Sequence, residues 1–298
     1  MRVLIIGCGY VGLPLGHRLT TLGHAVSGLR RSTGSDAQLR ASGIQPIHAD
    51  ITDPASLADL SPDFDVIVNL VSSTNGGPEE YRRVYLEGTQ NIIQWSRGSA
   101  LRSYLYTSST SVYAQADSSW VTEQSPTEPD SVTSQILIET ERELLAAFHS
   151  SQFPATILRP SGIYGPGRGH LFKQFVAGEA VMRDDGSNWI NMIHVDDLAA
   201  ALSHIIQHGV PGGIYNVCDD EPVTQRDFFK WLAQELSRPM PPSAPADPAR
   251  KRGLTNKRVA NAKLKATGFR FTYPTFRDGY RPEIARVVAE QRQPPYSP

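Results

Sequence analysis

The 298-residue chain sets 29 lysines and arginines against 30 aspartates and glutamates, a formal net charge of -1 with no long run of either sign, which offers no broad basic face to nucleic acid and points to small-molecule partners. Hydrophobic residues make up 40%, enough for a large core, yet no stretch reaches the ~18 to 20 continuous apolar residues that span a bilayer. The two cysteines, Cys8 and Cys218, follow no metal or disulfide spacing, so a reducing cytoplasm is the expected setting.

In chain order, short β-branched runs alternate with helical patterns. RVLIIG is followed by a helix to about Leu22, then by HAVSGL, IQPIHA, FDVIVNLV, SYLYTSS and ATILRP. The alternation predicts a parallel sheet wrapped by helices, an α/β Rossmann-type doubly wound architecture, and the runs apolar on both faces suit strands buried between two helical layers. Residues 131–145, SVTSQILIETERELL, read as an amphipathic helix. After Pro160 the rhythm changes to a Gly/Pro-rich stretch (161–170), NWINMIHV, a helix DDLAAALSHIIQH, the strand GIYNV and a helix RDFFKWLAQEL. The expected organisation is a dinucleotide-binding unit over 1–160, a smaller substrate-side lobe over 161–290 with some return to the first unit, and a loose tail over 291–298. The proline-rich stretch 237–251 reads as a mobile connection.

Gly7, Gly9 and Gly12 form a G-x-G-x-x-G that leaves a strand and opens a helix. In that context Gly7 permits the turn, Gly9 lets a pyrophosphate reach the backbone and Gly12 lets helix and strand pack closely. Tyr10 and Val11 complete the loop, whose free N–H groups at a helix start favour phosphate. At the end of the second strand no acid follows until Asp36; Arg30 and Arg31 stand there instead, and two guanidiniums suit a 2′-phosphate, so NADP is expected ahead of NAD. Asp50 and Ile51 after the third strand, and Leu70, Val71 and Ser72 after the fourth, end on the ligand edge of such a sheet. Asp50 either bonds an adenine amino group or caps the helix begun at Asp53-Pro54.

Together G7-x-G-x-x-G12, D50-I, Y106-T-S-S-T-S-V-Y113, R159-P-S-G-I-Y-G-P-G167, I193-H-V-D-D-L-A199 and Y215-N-V217 resemble the extended short-chain dehydrogenase/reductases, the NAD-dependent epimerase/dehydratase family, over roughly residues 1 to 280. The resemblance implies hydride transfer at a nicotinamide, a Tyr-x-x-x-Lys pair moving the proton, a Ser or Thr assisting, Pro160 beside the cofactor, and a homodimer through the helices near 79–97 and 131–149. The assisting residue matches Ser109. The tyrosine and lysine positions fall on Thr133 and Leu137, and Tyr85 stands where the family usually has asparagine. The chain thus resembles an atypical member lacking the pair.

Tyr113, Tyr164 and His194 are the other candidates for moving a proton, while Thr133 can offer a hydrogen bond but no base; each tyrosine can equally brace a loop, and His194 can equally start a helix. His194, Lys257 and Arg258 are candidate substrate contacts, the last two for an anionic group. Two functions follow: an NAD(P)-dependent oxidoreductase or epimerase acting on a small polar substrate such as a sugar derivative, or a catalytically silent NADP(H) sensor.

Overall fold

A computed structural model describes residues 1–73, 76–245 and 255–292. Seven parallel strands form one sheet: β1 (Arg2–Ile6), β2 (Ala25–Arg30), β3 (Gln45–His48), β4 (Val66–Asn69), β5 (Ser103–Thr107), β6 (Ala155–Pro160) and β7 (Ile214–Val217). Their spatial order is β7-β6-β5-β4-β1-β2-β3. The chain winds outward from β1 to β3, then returns to β4 and winds the other way. Connections leaving β1 and β4 therefore diverge, and the crevice they open at the carboxyl ends of the strands is where such sheets hold ligands.

Strand periodicity sorts β1 between two cores. Val3 and Ile5 face the layer made by α1 (Gly12–Thr21) and its neighbour Val195–His208, touching the cluster of Leu15, Leu19, Leu198 and Leu202, whereas Leu4 and Ile6 face the opposite layer with Ile92, Leu137 and Leu144. That second layer comprises α2 (Gly88–Trp95) and α3 (Val132–Ser151), which takes in the predicted helix from 132 to 145, with Ser131 as its N-cap, and extends beyond it. Alternating residues facing opposite ways explain why the strand reads as a continuous apolar run. The helix Val195–His208 is α4.

Residues after Pro160 divide between two bodies. Strand β7 and α4 rejoin the seven-stranded sheet and its layer, whereas α5 (Gln225–Glu235) and α6 (Phe276–Arg292) gather Phe172, Phe228, Phe229, Phe276 and Tyr280 into a separate aromatic cluster. The proline-rich connection differs from expectation in its first half. Ser243–Ala244 pairs in parallel with Met182–Arg183, and Arg238 donates to the carbonyls of Phe175 and Val176, since prolines are tolerated on a two-stranded edge. Residues 246–251 of that stretch, and 293–298 of the tail, lie outside the described residues. No described helix is long and apolar enough to cross a membrane.

One buried ion pair clamps α3 to the sheet. Arg159 on β6 donates from Nε to Glu141 Oε1 at 3.0 Å and from Nη2 to Oε2 at 2.5 Å, with both side chains under 5% exposed at 4% and 3%. Its Nη1 donates to Tyr113 Oη at 2.8 Å, and that hydroxyl donates to Asn216 Oδ1 on β7 at 2.8 Å. Every charge-bearing atom of the pair is thereby bonded, the condition under which burying two ions is tolerable. Removing one partner strands the other: Glu141→Ala or Arg159→Met is expected to cost about 3–5 kcal/mol in urea unfolding, and the double change less than the sum of the two. Single-variant losses under about 1 kcal/mol would show the pair to be dispensable.

Candidate functional site

The glycine turn joins β1 to α1, and each glycine has a distinct surrounding. Gly7 has φ +77 and lies so close to the exit of β4 that an added Cβ would fall 2.8 Å from Leu70 O. At Gly12 a Cβ would come within 3.2 Å of Ile5 Cγ2 and 3.3 Å of Cys8 Sγ, so helix and strand touch there. Gly9 is the opposite case: a Cβ would have only Gly7 O within 4 Å, at 3.9 Å. The first two glycines satisfy the fold, and the third leaves a space bounded by backbone into which a diphosphate fits. The first intrahelical bond of α1 runs from Leu13 N to Gly9 O at 2.9 Å, leaving the preceding N–H groups at the helix start for such an anion. Tyr10 turns away from that space; its ring lies 5.0 Å from the Arg168 guanidinium and its buried hydroxyl is pushed up to about 12. Val11 packs against the α1 core.

At the adenosine end, Arg30 closes β2 half-buried and Arg31 is exposed. Asp36, the first acid after β2, is brought by the fold to the residue opposite Arg30. Arg30 pairs in register with His48, and His48 Nε2 lies 3.1 Å from Asp36 Oδ2, while Asp36 Oδ1 is buried without a partner among the described residues. The alternatives for Asp50 are also resolved in part. Asp53, whose side chain accepts from Ala55 N at 3.0 Å, is the helix cap, and Asp50 Oδ1 instead accepts from Thr52 N and Oγ1. Ile51 is 4% exposed and packs against Gly88, so only its backbone can face a ligand. Leu70 presents its carbonyl to the glycine turn, Val71 N is held by Asn69 Oδ1, and Ser72 is exposed. Pro160 ends β6 opposite Val217.

Beyond the carboxyl ends of β5 and β6 lie the remaining candidates. Ser109 caps the short turn Thr110–Val112 by accepting from Ser111 N at 3.1 Å, which leaves its hydroxyl proton free to donate. Ser134 on α3 donates to Ser111 Oγ at 3.1 Å, tying the first turn of α3 to that same turn. Thr133 is therefore brought beside the Ser109 turn, its Oγ1 2.8 Å from Ser131 Oγ. Leu137, one turn on, is 4% exposed and belongs to the core with Tyr106 and Tyr113. Tyr85 lies in the π-helical turn Arg82–Glu87 that precedes α2, and its hydroxyl accepts from Ser73 N at 3.3 Å.

The remaining proton candidates sit elsewhere. Tyr113 is fully buried with its hydroxyl committed to Arg159 and Asn216, so it braces the turn and cannot reach a substrate. Tyr164 is buried against Tyr280, stacked at 4.4 Å, with a hydroxyl that no group bonds among the described residues; burial raises its pKa and keeps it a neutral phenol inside the aromatic cluster. His194 is the N-cap of α4: Asp196 N donates to its Nδ1 at 3.3 Å, and burial lowers its pKa, which keeps that nitrogen an acceptor. These three serve packing and capping.

Lys257 and Arg258 do not share a ligand. Residues 258–259 pair as a strand with Trp120–Val121, and successive side chains leave a strand on opposite faces. Lys257 is buried, whereas Arg258 points outward between Trp120 and Trp189, its guanidinium 5.1 Å from each ring. Asp219, just beyond β7, has no counterpart in the sequence reading. It is 2% exposed, burial lifts its carboxyl to about 8, and its Oδ2 has no partner. Its place past a strand end is the signal that could have found it.

A doubly wound parallel sheet whose glycine turn is tight at two positions and open at the third defines a dinucleotide-binding Rossmann-type protein. The family model for the NAD dependent epimerase/dehydratase family matches residues 3–218, and the chain belongs to that family, as an enzyme of NAD(P)-dependent oxidoreductase or epimerase type. Among curated relatives, Protein YeeZ of Escherichia coli K12 is 27% identical over 281 residues, covering 92% of this chain and 96% of its own. A 3-diazoavenalumate denitrifying reductase of Streptomyces sp is 28% identical, covering 94% and 99%. A solved putative NAD-dependent epimerase/dehydratase from Methylobacillus flagellatus is 34% identical, covering 98% and 99% with a TM-score of 0.77. The DesIV dTDP-glucose 4,6-dehydratase of Streptomyces venezuelae, solved with NAD and TYD bound, shares the fold at a TM-score of 0.83 with 22% identity.

The unequal glycines generate a paired expectation. Gly9→Val should leave the urea midpoint of the unliganded protein nearly unchanged and weaken cofactor binding by roughly a hundredfold or more, a loss of about 2.7 kcal/mol. Gly12→Val should instead destabilise the fold by about 1–3 kcal/mol through overpacking. If both variants unfolded alike, the assignment of an open ligand space at Gly9 would be wrong.

Proposed function

We propose that the chain is a reductase-type member of its family that uses NADP(H) on a small polar substrate, with Ser109 as the hydrogen-bond donor to the reacting oxygen. The observation that carries this reading is the Ser109 hydroxyl: it spends its lone pair on Ser111 N and keeps its proton for a ligand, at the carboxyl end of a central strand. A bound nicotinamide would supply or accept the hydride. The N–H groups at the start of α1 hold the pyrophosphate, and Arg30 and Arg31 clamp the 2′-phosphate through charge-assisted bonds. With Tyr113 and Tyr164 buried, the proton is exchanged with water ordered by Ser109 and Thr133. Ser109→Ala is therefore expected to lower kcat for any reducible carbonyl substrate by about 10² to 10⁴ while NADPH affinity holds; an unchanged kcat would remove Ser109 from the reaction.

A second reading is favoured by one observation. Leu137 fills, as core, the position one helical turn from Thr133 where the family's lysine is expected, so the chain could bind cofactor and stay chemically silent as a sensor. Loss of deuterium from the reactive carbon of labelled NADPH in the presence of a carbonyl panel distinguishes an enzyme from a sensor. A homodimer rests mainly on the family likeness: on α3, Ile136 and Leu144 are buried within this chain, while Leu145 and Phe148 are only partly buried. A monomeric mass by light scattering at micromolar concentration would remove it.

On cofactor choice, NADPH should bind ten- to a hundredfold more tightly than NADH, about 1.5 to 3 kcal/mol, and Arg30→Ala with Arg31→Ala should erase most of that difference. Asp36 Oδ1, a spare buried acceptor near Arg30, favours residual NAD binding through a ribose hydroxyl. Equal affinities in the unaltered protein, by calorimetry, would overturn the preference.

A further inference from the structure

Lys257 is 6% exposed and no carboxylate pairs with it among the described residues. Its Nζ donates to Tyr113 O at 2.8 Å and to Thr255 Oγ1 at 2.7 Å. An ammonium has three donors, and the third has no partner among the described residues. The surroundings fix where this charge sits. Tyr113 ends the turn that carries Ser109, and the Lys257 carbonyl accepts from Asn191 Nδ2 while Asn191 O accepts from Gly162 N, in the loop that leaves β6. The buried amine is thus bracketed by the segments that follow β5 and β6, the two strands whose ends wall the reaction side of the crevice.

We propose that Lys257 is the substrate-recognition cation of the crevice, its unspent donor taking an oxyanion, carboxylate or phosphate, carried by the substrate. This rests on the reading that a small polar substrate occupies that crevice. A buried cation without a counter-charge is unfavourable until an anion arrives, so the site is built for a ligand that brings one. Of the ionisable groups on the surrounding segments, Tyr113 Oη is bonded to Arg159, itself paired with Glu141; Glu123 accepts from Asn216 N; Asp219 accepts from Glu221 N through Oδ1, its Oδ2 having no partner among the described residues; Arg258 leaves on the opposite face. Burial pulls the Lys257 ammonium down to about 8. The anion site is therefore charged below that value and lost as pH rises through it, and a bound anion shifts the titration back upward.

The test uses the full chain saturated with NADPH, so that the glycine turn is filled, and measures by calorimetry the binding of acetate and of inorganic phosphate at about pH 6.5 and about pH 9.5, on either side of the amine's titration. One of the two anions should bind at least tenfold more weakly at the higher pH, and which one does so tells carboxylate from phosphate. For phosphate this trend runs against its own growing charge. Lys257→Met should abolish the binding at both pH values with NADPH affinity within about threefold, a difference under ~1 kcal/mol; Lys257→Arg should keep it and lose the pH dependence; Arg258→Gln should change neither. Binding by Lys257→Met equal to the unaltered chain, or no anion preferring the lower pH, would overturn the proposal. Should Lys257→Met fail to fold, the arginine variant decides, since a pH dependence surviving in it excludes Lys257 as its source. Because the readout is anion binding, it stands or falls apart from whether hydride transfer occurs.

Discussion

The Arg159 guanidinium is the point on which the reaction side of this protein depends. It joins α3 through Glu141, the Ser109 turn through Tyr113 and, by way of that phenol, β7 through Asn216. Four segments distant in sequence thereby share one fully bonded polar cluster in an otherwise apolar layer. Because the donors of a guanidinium form a rigid planar fork, the cluster fixes orientation as well as proximity. The crevice wall can then present Ser109 and Thr133 on a supported surface, the condition under which a weak hydrogen-bond donor is held where a reacting oxygen would sit.

The same cluster helps hold α3 in place. Glu141 anchors the middle of the helix, Ile136, Leu137 and Leu144 bury its apolar stripe, and Ser134 stitches its first turn to Ser111. None of these contacts needs an ionisable side chain at 133 or 137. Thr133 offers a hydroxyl that cannot become a base near neutral pH, and Leu137 offers only core packing. A buried lysine, Lys257, lies on the segment 255–259 that runs between Trp120–Val121 and Asn191.

The architecture was legible in the sequence because its signals are local: apolar runs of strand length, a glycine turn between strand and helix, and helical periodicity are each set by a few neighbouring residues. The glycine assignments followed for the same reason. The environments of the polar residues were not legible, because burial is decided by distant segments. Tyr113, Tyr164 and His194 look alike as proton carriers in one dimension; in three, one is spent on an ion pair, one is sealed among aromatic rings and one caps a helix. Lys257 and Arg258 look like a pair of cations when adjacency is all that is known, and strand geometry sends them to opposite faces. The return of β7 to the sheet and the pairing of Ser243–Ala244 with Met182–Arg183 likewise depend on partners sixty residues away in sequence.

Asp36 shows the same lesson at the adenosine end, with a consequence for specificity. It stands beyond the end of β2 in sequence, yet the loop folds back so that its carboxylate meets His48, the register neighbour of Arg30. A 2′-phosphate arriving there would meet two guanidiniums beside an imidazole that already bonds an acid. A 2′-hydroxyl would instead find the vacant Asp36 Oδ1, an acceptor whose burial without a partner is itself unfavourable. Arg30, His48 and Asp36 thus form one small cluster drawn from three segments, and a single acidic residue at the strand end, the usual sequence criterion, is too coarse to describe it.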